Sequence, residues 1–570
     1  MSALLPIVAA LGLIGVLITI HEFGHFIVAK FFGVDVRVFS IGMGKRLFGV
    51  TWRGTDYRLS LLPLGGYVRM AGSDPFSDSG RNEVDEEGLS NDPSAPGAFL
   101  AKPAWQRLLI MAAGPAMNLL LPFVVFTVLL VAGEPQPDAI VGTVREDTPA
   151  FAVGIRPEDR IVSVAGVAVA TWVDVSEAFA KAPQVVPLVV RNPAGVERSV
   201  TLAAPTTPSA EGAERSPWDY GLRLLAPDAH VSVDDPASPA ARVGLTSGDE
   251  LLAVGGVAVS DWNATARLLA DSSRGWTLRW RTGTGDAAQE RTGEILPDPN
   301  WAARGAANAT AADDATWRAW GLASSDTTVG SYAKDTSAGR KAGMEMLDRV
   351  LLVNDVPMRR WSDLILQVSS AAEGTGETMQ ARPVTLTVRR GGEVKTFTVK
   401  PDVVRDTDML GRYRWRPRIG IGSLGDIAEP AEVRRPYPLP QAFQRANRET
   451  VLIAQMMVGQ LGKMFTNEAP LSENLGGPIE FFRQSKAAAE RGIFDWARQL
   501  GVFSISLGII NLLPVPVLDG GQIVMYAAEW ARGRPLPLIV RERLQQVGVL
   551  FLVALMLFAF VNDSIRAFWS

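Results

Sequence analysis

The chain has 570 residues, with 56 Lys and Arg against 60 Asp and Glu, for a net charge of −4. That near balance excludes a broad nucleic-acid surface, which needs a basic excess, while the length allows several domains. Cysteine is absent, so disulfide staples, thiol nucleophiles and Cys-based zinc or iron–sulfur sites are excluded, and His21, His25 and His230 are the whole supply of imidazole.

Residues 2–20 carry no charge, and about 20 apolar residues suffice to cross the hydrocarbon core. The run has neither a basic start nor a small-residue cleavage site before His21, so it reads as a retained span rather than a leader. Directly after it comes His21-Glu22-Phe23-Gly24-His25. On a helix, positions i and i+4 share a face. Two imidazoles so placed can hold one zinc ion, with the intervening Glu22 beside it as base. Ionisable residues continuing a membrane span are costly there and point to function. Residues 72–98 hold seven acids against Arg81 alone and read as a solvated, disordered insertion. A second charge-free run follows at 108–133.

Between about 134 and 497 one register recurs three times. Gly154, Gly244 and Gly343 lie 90 and 99 residues apart; each is followed after five residues by Asp159, Asp249 or Asp348, and after eighteen by Trp172, Trp262 or Trp361. Repeats of that length are small domains rather than solenoid turns. Their β-branched runs, such as Val384-Thr385-Leu386-Thr387-Val388, read as strands. The pattern resembles the PDZ fold, which implies peptide binding by strand addition or, equally, a spacer or filter. Residues 203–217 and 302–316 are of low complexity and read as separators. His230 reads as a satisfied or surface histidine. Residues 430–484 mix charge with Leu, Met and Phe and suggest interfacial amphipathic helices.

Charge-free runs three and four occupy 500–518 and 544–562. Lys and Arg crowd the loops between spans one and two and between spans three and four, so both loops face the cytoplasm and the large middle segment lies outside. A catalytic zinc usually takes three protein ligands. Without cysteine or a third suitably placed histidine, a carboxylate is expected, and Asp519, at the end of run three, falls on the same side of the membrane as His21 and His25. Pro514 and Pro516 in Asn511-Leu512-Leu513-Pro514-Val515-Pro516-Val517-Leu518-Asp519-Gly520-Gly521 break the helix there. The ligand set favours zinc and leaves other divalent ions open.

These motifs, with PDZ-like units between them, resemble the site-two protease family of intramembrane zinc metalloproteases. Phe39-Ser40-Ile41-Gly42-Met43-Gly44 and Pro63-Leu64-Gly65-Gly66-Tyr67-Val68-Arg69-Met70 are similar to its membrane-associated β-loop. Ala113-Gly114-Pro115-Ala116-Met117-Asn118 and Asn474-Leu475-Gly476-Gly477-Pro478-Ile479 resemble two further family segments. Three PDZ-like units where relatives usually carry two, and Gln522 where many have His, are departures. The resemblance implies cleavage, within a bacterial inner membrane, of a pre-trimmed single-span protein such as an anti-sigma factor or a leftover signal peptide. One Zn2+ per chain would be held by His21, His25 and Asp519, with Glu22 as the base. Asn118 and Asn511 would hold unwound substrate backbone, or serve only as interhelical hydrogen-bonding groups. Pro514, Pro516, Gly65 and Gly66 would line the substrate.

The architecture expected is a membrane α-helical core of four transmembrane helices with a membrane-associated β-loop, plus three extracytoplasmic PDZ-like α+β domains. Its parts are an N-terminal membrane core (1–135), PDZ-like units at 136–205, 218–300 and 318–403, an amphipathic linker region (404–498) and a C-terminal membrane core (499–570). The partners expected are a membrane-anchored substrate with a single transmembrane helix, the bilayer and a peptide or C-terminus at the PDZ-like units, with no nucleic acid. A non-catalytic PDZ-bearing scaffold or chaperone would need no metal, and a metal transporter would want polar residues deep in several spans.

Overall fold

The computed structural model describes residues 5–72, 95, 97–145, 148–205, 215–283, 288–334, 336–374, 378–407, 413–465 and 477–569. Most of the acidic stretch at 72–98 (73–94 and 96), Asn474-Leu475-Gly476 and most of 203–217 lie outside the described residues. The chain divides into two compact units. One gathers both ends of the chain, 1–134 and 435–570, and the other holds 135–408 and 412–434.

In the first unit the helices are α1 (Leu5–Phe31), α2 (Ala104–Ala132), α3 (Leu439–Phe465), α4 (Pro478–Arg491), α5 (Ile493–Asn511), α6 (Asp519–Arg532) and α7 (Leu538–Trp569). Four stretches within them are long and apolar enough to cross a membrane: Ile7–Phe31, Ala104–Ala132, Ile493–Asn511 and Ile539–Ser564. Each of the four charge-free runs thus lies mainly within such a helix. The third departs from its expected end: α5 stops at Asn511 rather than 518. Pro514 disfavours helix in the residue before it, and neither proline can donate to a helical ladder. Nineteen residues still reach about 28 Å.

Helix α2 is the hub, packing against α1, α3, α5 and α6. Small residues permit the approach. A Cβ on Gly24 of α1 would lie 2.3 Å from the Ala113 carbonyl oxygen, and one on Gly501 of α5 would lie 2.4 Å from a Phe126 ring carbon. Two long bent strands, β1 (Val36–Trp52) and β2 (Thr55–Met70), fold into one sheet beside α1. Residues 38–41 lie against 56–59 on one side and against 66–69 on the other. Phe26 of α1 stacks into this sheet against Phe39 and Tyr57.

The second unit contains three four-stranded sheets of identical order. Their central hairpins are Val186–Arg191 with Glu197–Leu202, Trp276–Thr282 with Gln289–Ile295, and Val384–Arg390 with Glu393–Val399. The repeated residues of the sequence have repeated roles. Asp159, Asp249 and Asp348 are buried and accept from the backbone N–H three residues earlier, at Arg156, Thr246 and Glu345. Trp172, Trp262 and Trp361 each start a helix.

A further element of the repeat lies outside the boundaries drawn from sequence. Each unit is closed by a strand beyond 205, 300 or 403: Leu222–Arg223 pairs with Thr143–Val144, Ala323–Ser324 with Val231–Ser232, and Ile421–Ser423 with Val329–Tyr332. Before each stands a left-handed glycine, Gly221, Gly321 or Gly420 (φ +88°, +70° and +70°). Any Cβ there would meet Thr148, Ser238 or Ser337 at 2.1–2.5 Å. Of these, the sequence marks only the third, where Ile419-Gly420-Ile421-Gly422 suggests a closing strand; the first two are two residues long and lie 63 and 74 positions after Asp159 and Asp249, too short and too distant to leave a pattern.

Residues 302–316 are not a plain separator. They contain most of a helix, Pro299–Asn308, anchored by Trp301 set edge to face against Trp317. They also supply Asp313, whose buried carboxylate accepts from Arg389 at 2.8 Å and pairs with Arg349, which holds Asp234 at 2.6 Å. Low complexity concealed this because the aromatic anchors and the arginines lie mostly outside the window.

Burial alone would raise the Asp313 carboxyl, but Arg389 and Arg349 hold it down at about 2. Its contribution to stability is therefore complete above its ordinary value near 3.8 and is lost as pH falls through about 2. Asp313→Ala leaves Asp234 as the one carboxylate facing two buried guanidiniums, and denaturant unfolding of the full chain is expected to show the second unit weakened by about 3–5 kcal/mol.

Candidate active site

Helix α1 runs unbroken from the apolar span through His21, Glu22 and His25. Its 3.6-residue turn puts the two imidazoles one above the other, both buried at 7% and 5% exposure. Their Nε2 atoms lie 3.2 Å apart. Asp519, the first residue of α6, meets them: Oδ2 is 3.0 Å from His21 Nε2 and Oδ1 is 3.6 Å from His25 Nε2. Among the described residues this is the group of His, Asp and Glu side chains arranged to hold a metal, its ligand atoms all within 4.8 Å of one another.

The local sequence explains the approach. The loop between α5 and α6 folds back over the start of α6, where a Cβ on Gly520 would lie 2.3 Å from the Leu512 carbonyl oxygen and one on Gly521 2.2 Å from that of Val515. Pro514 and Pro516 sit in this loop, which delivers Asp519. Across the site, Gly114 of α2 leaves room for the imidazoles; a Cβ there would fall 2.3 Å from His25 Nε2 and 2.8 Å from His21 Cε1.

The ring tautomers follow from the hydrogen bonds. His25 Nδ1 lies 2.8 Å from the Ile110 carbonyl oxygen, which can only accept. Nδ1 therefore carries the proton, and the Nε2 lone pair faces the centre. At His21 the amides of Asn118 and Asn511 approach Nδ1 at 3.2 and 3.5 Å. Asn118 is fully buried, and its Oδ1 has no partner. A metal on His21 Nε2 requires a proton on Nδ1, and the Asn118 amide, turned over, supplies the acceptor with that orphaned oxygen. Two imidazoles and one carboxylate are the donor set of a catalytic zinc with one position left open. The residues present therefore fit zinc.

Glu22 is turned towards the sheet. Its Oε2 accepts from the Val68 backbone N–H at 3.0 Å, so residues 66–70 place a strand beside it, paired on its far side with 36–41. Gly65 and Gly66 have packing reasons of their own. Gly65 is left-handed (φ +88°), with its Cβ position 2.7 Å from the Ile18 side chain, and a Cβ on Gly66 would lie 2.4 Å from the Ser40 carbonyl oxygen. His230 belongs to the other unit and is paired with Asp228 at 2.6 Å. Sequence reasoning missed the Ile110 carbonyl, the Val68 N–H and the space made by Gly114. The first two are backbone groups and leave no sequence signal, whereas Gly114 stands inside the quoted Ala113-Gly114-Pro115 motif.

Two histidines at the end of a membrane-length helix, meeting an aspartate that opens a short helix of the same bundle, define a membrane metalloprotease. The family model for peptidase family M50 matches residues 9–555, and the chain belongs to that family. Among its relatives is the regulator of sigma-E protease RseP of Salmonella typhimurium, 26% identical over 571 residues, covering 99% of this chain and 100% of that one. RseP of Escherichia coli K12 is 26% identical over 559 residues, 97% of each chain. A Neisseria meningitidis protein whose provisional name is zinc metalloprotease is 28% identical over 561 residues, again 97% of each chain.

Gly114→Ala drives a methyl group into His25. Metal analysis and a cleavage assay on the detergent-purified variant are expected to show substoichiometric metal and at least an about hundredfold loss of turnover, the cost of a misplacement near 1 Å.

Proposed function

We propose that the chain is an intramembrane zinc metalloprotease that cuts the transmembrane segment of a membrane-anchored protein already trimmed outside. The observation that carries this reading is the meeting of His21, His25 and Asp519 beside Glu22 and the strand at 66–70, in a bundle with four helices long enough to span. One zinc ion per chain, held by those three side chains, would act as a Lewis acid on the scissile carbonyl and acidify a water. Glu22 takes the proton of the attacking water and hands it to the departing amine.

A transmembrane helix hides its carbonyls in its own hydrogen bonds, so the substrate must unwind to be cut. Unwound backbone in lipid is costly unless it is paired again. Residues 66–70 pair with 36–41, and strand addition at this sheet would set an extended substrate next to Glu22. Gly65 keeps that strand close to α1 and Gly66 keeps it close to β1 at Ser40, and Asn118 and Asn511 hold the opened backbone. Pro514 and Pro516 deny the loop before Asp519 two backbone donors and keep it from becoming helix.

Substrates of the class of single-span anti-sigma factors and leftover signal peptides suit this geometry, and the names of the relatives in Salmonella and Escherichia coli point the same way. The excess of Lys and Arg in residues 30–107 and 532–543 supports an inner-membrane protein with the site towards the cytoplasm and the second unit outside. Three identical sheet orders, each closed by a glycine-led strand, support three PDZ-like units that screen substrates or take an extended peptide or free C-terminus.

Glu22→Gln removes the base and no ligand. With a single-span model substrate, turnover is expected to fall by about 10²–10⁴-fold while zinc content stays at one per chain; retained cleavage would reject Glu22 as the base. Chelation of the wild type is expected to abolish cleavage, and added zinc to restore it.

A further inference from the structure

Pro122 lies inside α2 and has no N–H. In a regular helix that N–H would bond the carbonyl four residues earlier, which is Asn118. The carbonyl is freed at a fully buried residue of a membrane-length helix, where no water can satisfy it. Ser504 of α5, itself fully buried, donates its hydroxyl to this oxygen at 2.7 Å. A helical serine commonly bonds the carbonyl of its own preceding turn, whereas here the bond crosses between helices.

The surrounding residues fit that bond. Gly501 and Gly508 flank Ser504 on one face of α5 and bring it onto α2; a Cβ on Gly508 would lie 2.9 Å from Leu119 and 3.2 Å from the Pro115 carbonyl oxygen. The same face ends at Asn511, whose amide, like that of Asn118, approaches His21 Nδ1. Beyond Asn511 the chain runs through the loop to Asp519.

We propose that Ser504 is a positioning residue for the metal site. By taking the carbonyl that Pro122 sets free, it fixes the register of α5 on α2, so that Asn118 and Asn511 both reach His21 and the loop to Asp519 starts from a defined place. Ser504 touches no ligand. This assignment rests on the protease reading and names a residue through which the helix packing controls the site.

The test is a mutant cycle on the full-length protein in detergent, reading kcat and KM on a single-span model substrate and the chelator concentration that removes half the zinc. Ser504→Ala is expected to lower kcat by roughly three- to tenfold, the scale of one interhelical hydrogen bond, with KM within twofold and zinc lost at correspondingly lower chelator. Pro122→Ala restores the N–H that bonds the Asn118 carbonyl, so Ser504→Ala in that background is expected to lose most of its effect on both readouts. Wild-type behaviour of Ser504→Ala, or an undiminished penalty in the Pro122→Ala background, overturns the assignment. Absence of zinc from the wild type, or cleavage by Glu22→Gln, overturns instead the protease reading on which it rests.

Discussion

Two imidazole lone pairs and a carboxylate turned towards one point inside a bundle of apolar helices are unstable company unless a cation joins them. In water such groups would separate and solvate; buried among helices, each unpaired polar atom is costly, so the arrangement favours a cation shared between them. Much of the surrounding architecture follows from that constraint. The helix turn sets His21 above His25, the Ile110 carbonyl holds the proton of one ring on the outer nitrogen, and Gly114 leaves the space in which the rings stand.

The same constraint explains why α2 is interrupted chemically but not broken. Pro115 and Pro122 lie within its continuous helix, and each deletes a backbone donor. In a soluble helix water would fill the gap. Here a side chain of α5 does so for Asn118, and small residues at 501 and 508 let the two helices approach closely enough. The polar groups that organise the site are thus bound to the features that would otherwise weaken the helices.

The second unit is stabilised by different means. Its three sheets each bury an aspartate against a turn and a glycine against a Ser or Thr side chain. The second and third repeats are further tied by the buried lattice of Asp234, Asp313, Arg349 and Arg389 around Trp317. Such an ionic cluster adds specificity of arrangement more surely than net stability.

Local and periodic features were legible from the chain alone. Four charge-free runs, two histidines four residues apart, a carboxylate at the end of the third run and a threefold Gly–Asp–Trp register are each contained in short windows, because helical pitch, bilayer thickness and turn geometry act over short windows. Helix and turn periods set which residues share a face, and hydropathy sets which segments leave water. Pairings between distant segments were decided only by tertiary structure: Asn118 beside His21, Val68 beside Glu22, Ser504 on the carbonyl freed by Pro122, the closing strands of the three sheets and the arginines that meet Asp313. The physical reason is that a backbone carbonyl or N–H is the same in every residue, so its partner, chosen by packing across tens or hundreds of positions, leaves no mark in the sequence that a local pattern can carry.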